Sequence, residues 1–541
     1  MKQPSRWIVL FMLALGAILT GLTLVFPVLG FLQWLTMIPL ILAAFCIAAD
    51  ERVSLLHAYG YGFFTVFLYY GVLYHWFVNL YPLDFAGLDH AASIVVVIAG
   101  WVGLSLLQAI PGGLVFLLFV LLCRTTQIKR TPVLRPFVFA ALWIIFEWSS
   151  TLSWVGVPWG RLALGQINFL PMLQSASLLG SYFVSFLILA VNGLLAHALL
   201  TWKTERIRAI VCGAVAVALV VCNLAYGLVS MRMPQTKIAG VPVAVIQGNI
   251  SSHDKWDSSG SSKICSTYAE LTRQAAEDGA KLVVWPETVL PYSLNLRNDL
   301  KAFLSNLARE CEVTLAVGSF YTVDRDVEYN AIYWVDPDGT IREEFYAKRH
   351  LVPFGEYVPM EELITALIPP LASLSDLGGD MTAGEATSLF ETSYGAIGSL
   401  ICFDSIYEQL TLSSVRDGAQ LMIVSSNDSW FYDSAAVYQH QAQSQLRAIE
   451  SGRGFVRSAN TGISTVISAK GEILAWIDPL TEGYAVASVT VSSERTLYTV
   501  IGNTFIYLNI AFLALLGASE LLYKRRTRDE SSAETIPVEN A

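Results

Sequence analysis

A bundle of membrane-spanning helices joined to a soluble-type α/β domain is the architecture this sequence predicts, and three observations carry it. Of 541 residues, 54% are hydrophobic and only 14% charged, against roughly 25% charged in an ordinary soluble domain; the mean hydropathy is +0.52. Apolar stretches near the ~20 residues needed to cross a bilayer recur through residues 7–231 and once more at 498–523. Between them, from about 234 to 495, short β-branched runs alternate with turn residues and helical patterns.

The spans are expected at 7–26, 31–49, 55–77, 92–123, 135–149, 172–201, 207–231 and 498–523. The first follows Lys2 and Arg6 and has no small-residue cleavage motif behind it, so it reads as a retained helix and not a signal peptide. The stretch 92–123 holds Pro111-Gly112-Gly113 and could be one long helix or two short ones. Loop charges decide. Lys and Arg collect at the N-terminus, at Arg52, at Arg124, Lys129, Arg130 and Arg135, at Lys203, Arg206 and Arg208, and at Lys524, Arg525, Arg526 and Arg528. The intervening loops are poor in them, and that alternation requires a single span at 92–123. Eight spans result, with both termini cytoplasmic and the large middle segment on the outer face.

Within that segment the runs "VPVAVIQGN", "KLVVWPE", "VTLAVGSF", "NAIYWVDPDG", "GAIGSLICFD", "QLMIVSSND" and "GISTVISAKGEI" read as strands. "DPDG" and "AKGE" read as hairpin turns, and residues 267–278 and 300–310 as helices. The seven cysteines form no CxxC pair and no Cys/His cluster, so neither a zinc site nor a disulfide framework is expected. A net charge of −10, with the basic residues in short clusters between apolar stretches, gives no nucleic-acid footprint.

Three positions stand where α/β folds expose reactive groups: Glu287 ends "KLVVWPE", Lys348 lies in the proline- and glycine-bearing loop "FYAKRHLVPFGEYVP", which also holds Glu356, and Cys402 ends "GAIGSLIC". Singly, each has an ordinary reading as a turn carboxylate, a solvated lysine or a core cysteine. Together they make a chemical unit. A thiol, with a free pKa of about 8.5, needs a base or a positive field to act as thiolate. A buried glutamate supplies the base, and an ammonium stabilises both thiolate and oxyanion. The thioester that follows keeps an acyl group activated for a second nucleophile.

At these residues the chain resembles the nitrilase superfamily, and more narrowly its membrane-embedded branch, the apolipoprotein N-acyltransferases. The likeness runs over nearly the whole chain through "VGVPWG", "VIQGNI" with Trp256 after it, "VWPET", "HLVPFGEYVP", "LICFD", "SNDSWF" and "RSANTGIST". It implies an αββα sandwich for the α/β part. It also implies transfer of a fatty acyl chain from a phospholipid, through a cysteine thioester, to the α-amino group of a lipid-modified N-terminal cysteine. By motif, Glu287 would be the general base, Lys348 the oxyanion donor, Cys402 the nucleophile and Glu356 a supporting acid, with Trp256, Phe403 and Asp404 as substrate contacts. The family commonly has Tyr-Glu after the cysteine, where this chain has Phe403-Asp404.

The expected organisation is a transmembrane bundle over 1–232, an extracytoplasmic nitrilase-like catalytic domain over 233–497, an eighth span over 498–523 and a disordered cytoplasmic tail over 524–541. The partners expected are a phospholipid donor, an apolipoprotein acceptor and the bacterial inner membrane, with no cofactor, no metal and the chain acting as a monomer. Residues 362–377, "ELITALIPPLASLSDL", are too short and proline-broken to span and read as an apolar flap on the bilayer. Glu147 falls near the outer end of the fifth span, facing the site or the interface. The competing functions are a membrane-anchored amidase that uses water as acceptor, a transporter with a solute-binding outer domain, and a Cys-His enzyme with His350 or His440 as base.

Overall fold

A computed structural model describes residues 4–83, 88–152, 156–235, 238–250, 260–324, 327–360, 362 and 381–533. Trp256 and nearly all of the expected flap lie outside the described residues.

Helices α1 (Arg6–Val25), α2 (Ile38–Ala49), α3 (Leu55–Leu73), α4 (His90–Cys123), α5 (Arg135–Ser149), α6 (Ser181–Thr201) and α7 (Arg206–Arg232) form the N-terminal bundle. Several start on a side-chain cap: Ser54 Oγ accepts from the His57 N–H at 3.2 Å, and Asp89 Oδ1 from the Ala92 N–H at 2.8 Å. Among the described residues seven helices are long and apolar enough to cross a membrane, the seventh being the C-terminal helix, whose apolar part is Thr504–Thr527. The remaining expected span, α3, is a helix of 19 residues whose tyrosines and glycines dilute its hydropathy. Glycines on both helices let α3 press against α4: a Cβ at Gly62 of α3 would stand 2.8 Å from Phe116, and one at Gly112 of α4 2.5 Å from Val66.

Helix α4 is one continuous element of 34 residues with Pro111 inside, as the loop charges required. Two expectations change. The stretch 172–201 is not one helix, because Gly180 at φ +80° breaks it and only Ser181–Thr201 continues. The polar tail after Tyr523 does not end the helix, which runs on to Ala533.

The α/β part is built on two six-stranded sheets. One carries β1 (Ala239–Gln247), β2 (Leu282–Val284), β3 (Thr314–Thr322), β4 (Glu328–Val335), β5 (Tyr346–Ala347) and β12 (Gly483–Val491), in the order β12-β1-β2-β3-β4-β5. The other carries β6 (Leu389–Thr392), β7 (Gly395–Ile401), β8 (Leu421–Ser426), β9 (Gly454–Ala459), β10 (Ser464–Ile467) and β11 (Ile473–Ile477), in the order β11-β10-β9-β8-β7-β6. Both expected turns are present: Gly339 N–H bonds Asp336 O at 2.8 Å, and Ser468 N–H bonds Glu472 O at 2.8 Å.

Alternation along the strands sends Val243, Val245, Val284, Ile397, Ile401 and Ile423 into one core between the sheets. Helices α8 (Gly260–Glu277) and α9 (Asn298–Cys311) cover the outside of the first sheet. Helices α10 (Glu408–Asp417) and α11 (Ala435–Ser451) cover the second. Their layer is buried on both faces, because Ile406, Leu410, Met422, Leu446 and Phe455 share a single apolar core with Phe139, Trp159 and Tyr182 of the bundle. The α/β part therefore does not hang from a linker; it is packed into the helices.

Candidate active site

The sheets bring three chain segments to one place. Strand β2 ends at Val284, and Trp285 is anchored by its indole N–H on Thr272 Oγ1 at 3.0 Å. The turn that follows is tied across to the other sheet, where Ser425 Oγ donates to Trp285 O at 2.9 Å and the Glu287 N–H reaches Ser426 O at 3.4 Å. It lies so close on β3 that a Cβ at Gly318 would stand 2.2 Å from Pro286 O, a contact only glycine permits.

Lys348 follows the two-residue strand β5, and its ammonium is 1% exposed. It donates to Glu287 Oε1 and Glu356 Oε1, both at 2.8 Å. Asn330 on β4 joins the same two oxygens, from Nδ2, at 2.7 and 3.1 Å. Glu356 is fixed in turn by the Val352 N–H on its Oε2 at 2.8 Å. Burial opposes the Lys348 charge, but Glu287, Glu356 and Cys402 outweigh it and hold the ammonium well above its usual range. The lysine therefore stays charged at every working pH.

Cys402 closes β7 with φ +48°, a left-handed conformation that costs a non-glycine residue roughly 1–3 kcal/mol and is typical of side chains turned out of a strand end. The residue is partly exposed. Burial of the sulfur, then the Glu287 charge, push the thiol pKa up, while Lys348 pulls it down. At rest the group is a thiol. Glu287, Lys348, Glu356 and Cys402 are thus gathered into one electrostatic unit.

The family described as Carbon-nitrogen hydrolase matches residues 242–498, and the Apolipoprotein N-acyltransferase N-terminal domain matches residues 8–194. An apolipoprotein N-acyltransferase of Geobacter metallireducens is 30% identical over 95% of this chain and 95% of its own. One of Gloeobacter violaceus is 31% identical over 90% and 89%. The chain belongs to the apolipoprotein N-acyltransferase family. A crystal structure of a carbon-nitrogen hydrolase from Helicobacter pylori is similar over 46% of this chain and 89% of its own, at 20% identity and a TM-score of 0.36.

In this member of an acyltransferase family, the residues after the cysteine differ in what they do. Phe403 is partly exposed, with its ring edge-on to Tyr407 at 5.5 Å between centroids. Asp404, expected as a substrate contact, is fully buried instead. Its carboxylate accepts from the Tyr346 hydroxyl at 2.8 Å and from the N–H groups of His350 at 2.7 Å, Ile401 at 3.1 Å and Arg349 at 3.2 Å. Those donors flank Lys348 and Cys402, so Asp404 holds the two segments together and has no oxygen to offer a substrate.

Sequence reading missed the support beneath the thiol. His440 on α11 sets Nε2 3.2 Å from Cys402 O, and Nδ1 2.9 Å from Asp428 Oδ1. Asp428 also takes Arg457 Nη2 at 2.8 Å and the Ser426 hydroxyl at 2.9 Å. Cys402, Asp428 and His440 stand close enough to suggest a metal site, but Arg457 already neutralises Asp428 and lies 3.0 Å from His440 Nδ1, where a cation would be repelled. Both ring nitrogens of His440 are engaged by this support, so it is not presented as a base, and the His350 ring lies against Tyr407 at 3.8 Å between centroids.

Burial opposes the Asp428 charge, but Arg457 and His440 overcome it and keep the carboxyl below its ordinary range. Stability from this group is present above the unfolded pKa of about 3.9 and is lost as pH falls through and below it. Asp428→Asn is expected to flatten that acid limb: its unfolding midpoint falls less than wild type's between about pH 5 and pH 3. Equal slopes for the two proteins would count against the network.

Proposed function

We propose that this protein is an N-acyltransferase of the bacterial inner membrane, with its α/β domain on the periplasmic side. It takes a fatty acyl chain from a phospholipid and gives it to the α-amino group of an apolipoprotein's diacylglyceryl-cysteine. In the first half-reaction Glu287, through its second carboxylate oxygen, takes the thiol proton as Cys402 Sγ bonds to the ester carbonyl carbon. Lys348 Nζ and the Phe403 N–H stabilise the oxyanion. The ester C–O bond then breaks, and the lysophospholipid alkoxide leaves with the proton from Glu287. In the second, the amine bonds to the thioester carbon and its proton goes to Glu287; the C–S bond then breaks, and Glu287 passes that proton to the sulfur to return the thiol.

One observation carries the reading: Leu400, Phe403 and Ile406, which flank Cys402, belong to an apolar core continuous with the membrane bundle. Drawing an acyl chain into water costs about 0.8 kcal/mol per methylene, so about ten methylenes cost about 8 kcal/mol. An enzyme packed into the bilayer avoids that cost, whereas a soluble amidase needs no such packing. The test is mass spectrometry after incubation with phospholipid. A hydroxylamine-labile acyl group on Cys402, discharged by an amine acceptor, is the expected result; an unmodified Cys402 would sink the proposal, and free fatty acid as the main product would favour the amidase.

A further inference from the structure

Away from the reacting atoms, four charged side chains are buried where the α/β domain meets the bundle. Arg161, in the loop between α5 and α6, donates to Glu408 at the start of α10, and both are essentially unexposed. Glu408 Oε1 also accepts from the Tyr182 hydroxyl of α6 at 2.8 Å. Arg447 on α11 stands 3.5 Å from Glu408 Oε2 and 2.8 Å from Glu450 Oε2. Glu450 Oε1 accepts the Ser181 N–H, at the start of α6, at 2.8 Å. Two guanidinium groups balance two carboxylates. The bundle supplies Arg161, Ser181 and Tyr182, and the domain supplies Glu408, Arg447 and Glu450.

Such a cluster is a poor source of stability, since desolvating the ions offsets much of their attraction and apolar residues of equal volume often do as well. Geometry is what it adds: Arg161 spreads its guanidinium over Ser181 Oγ, at 3.3 Å from Nη1, and Glu408, from Nη2, so its plane is held by the bundle and by the domain at once. That direction bears on the thiol. Arg447 Nη1 also donates to Ile406 O at 3.4 Å, at the end of the turn that begins with Cys402, and Glu408 opens the next helix. Docking has other supports, because Phe431 packs on Trp76 and Trp159, and Tyr407 Oη donates to Gly156 O at 3.2 Å.

We propose that the quartet Arg161, Glu408, Arg447 and Glu450 is a positioning device that fixes the Cys402 turn relative to the bilayer, so that the thiol meets an ester carbonyl held in the membrane. The inference rests on the acyl-enzyme reading above. Its test uses full-length enzyme in vesicles and two donors: phosphatidylethanolamine in the bilayer, and water-soluble p-nitrophenyl butyrate. Cys402 acylation is read by mass spectrometry. Arg161→Met with Glu408→Gln removes the pair while keeping the charge balance. This double variant is expected to lose about 100-fold in acylation from the bilayer donor, the usual cost of a misplacement near 1 Å, and to stay within about threefold of wild type with the soluble donor.

Arg161→Lys keeps the charge without the fork and is expected to fall between; should the double variant not fold, Arg161→Lys alone carries the comparison. Equal losses with both donors would make the quartet merely structural, and no loss with either would make it dispensable; each result overturns the proposal. Wild-type enzyme left unlabelled by both donors would instead overturn the acyl-enzyme reading itself, and this inference with it.

Discussion

Cys402→Ala and Cys402→Ser are expected to carry no acyl group after incubation with phospholipid, and amine acylation is expected to fall by about 10⁴-fold or more. Serine keeps the shape but has a far higher pKa, and the site already holds the softer thiol in its protonated form by burial. A carboxylate base matched to a thiol cannot ready an alcohol in the same place. The backbone adds a second readout. Cys402 sits at φ +48°, so the proposed nucleophile's position is strained for any side chain with a Cβ. Cys402→Gly, equally inactive, is expected to be more stable than Cys402→Ala by about 1 kcal/mol, because glycine alone accepts that conformation freely. Thermal unfolding of the two variants checks the strain, and intact mass checks the chemistry. A lipid label persisting in Cys402→Ala would move the nucleophile elsewhere.

What could be read from the chain, and what could not, divides on physical grounds. Strands such as β3 and β8 announce themselves because both faces are buried and "LAV" and "LMIV" are apolar without alternation. The segments holding Glu287, Lys348 and Cys402 were legible because each of these side chains follows such a run or sits among prolines. Helix α11 was not. Its sequence, "AAVYQHQAQSQLRAIES", has the polarity of a solvated surface, yet fifteen of its seventeen residues are buried between a sheet and the bundle. Its glutamines, arginine and glutamate find partners that exist only in the tertiary structure, such as Gln439 Oε1, which accepts the Trp159 indole N–H at 2.6 Å. Asn330 was hidden for the same reason. One amide within a strand gives no sign that it will bridge two carboxylates from distant loops. Asp404 misled because its place beside the cysteine suggested a substrate contact, while its shorter arm serves the backbone N–H groups of the neighbouring loop.

Lys348→Met should separate stability from catalysis in the same site. The ammonium is buried between Glu287 and Glu356, so its loss leaves two carboxylates sharing a pocket without a counter-charge. Breaking a buried pair in this way costs about 3–5 kcal/mol. Removal of the proposed oxyanion donor is expected to lower the acylation rate by a further ~10²- to 10³-fold. Adding Glu356→Gln returns the site to its original net charge: one cation and two anions become a single anion. The double variant is therefore expected to recover most of the lost unfolding midpoint and little of the lost rate. Recovery of both would mean that Lys348 only balances charge. Recovery of neither would mean that Glu356 does more than hold the lysine, through the loop that its Oε2 fixes at the Val352 N–H.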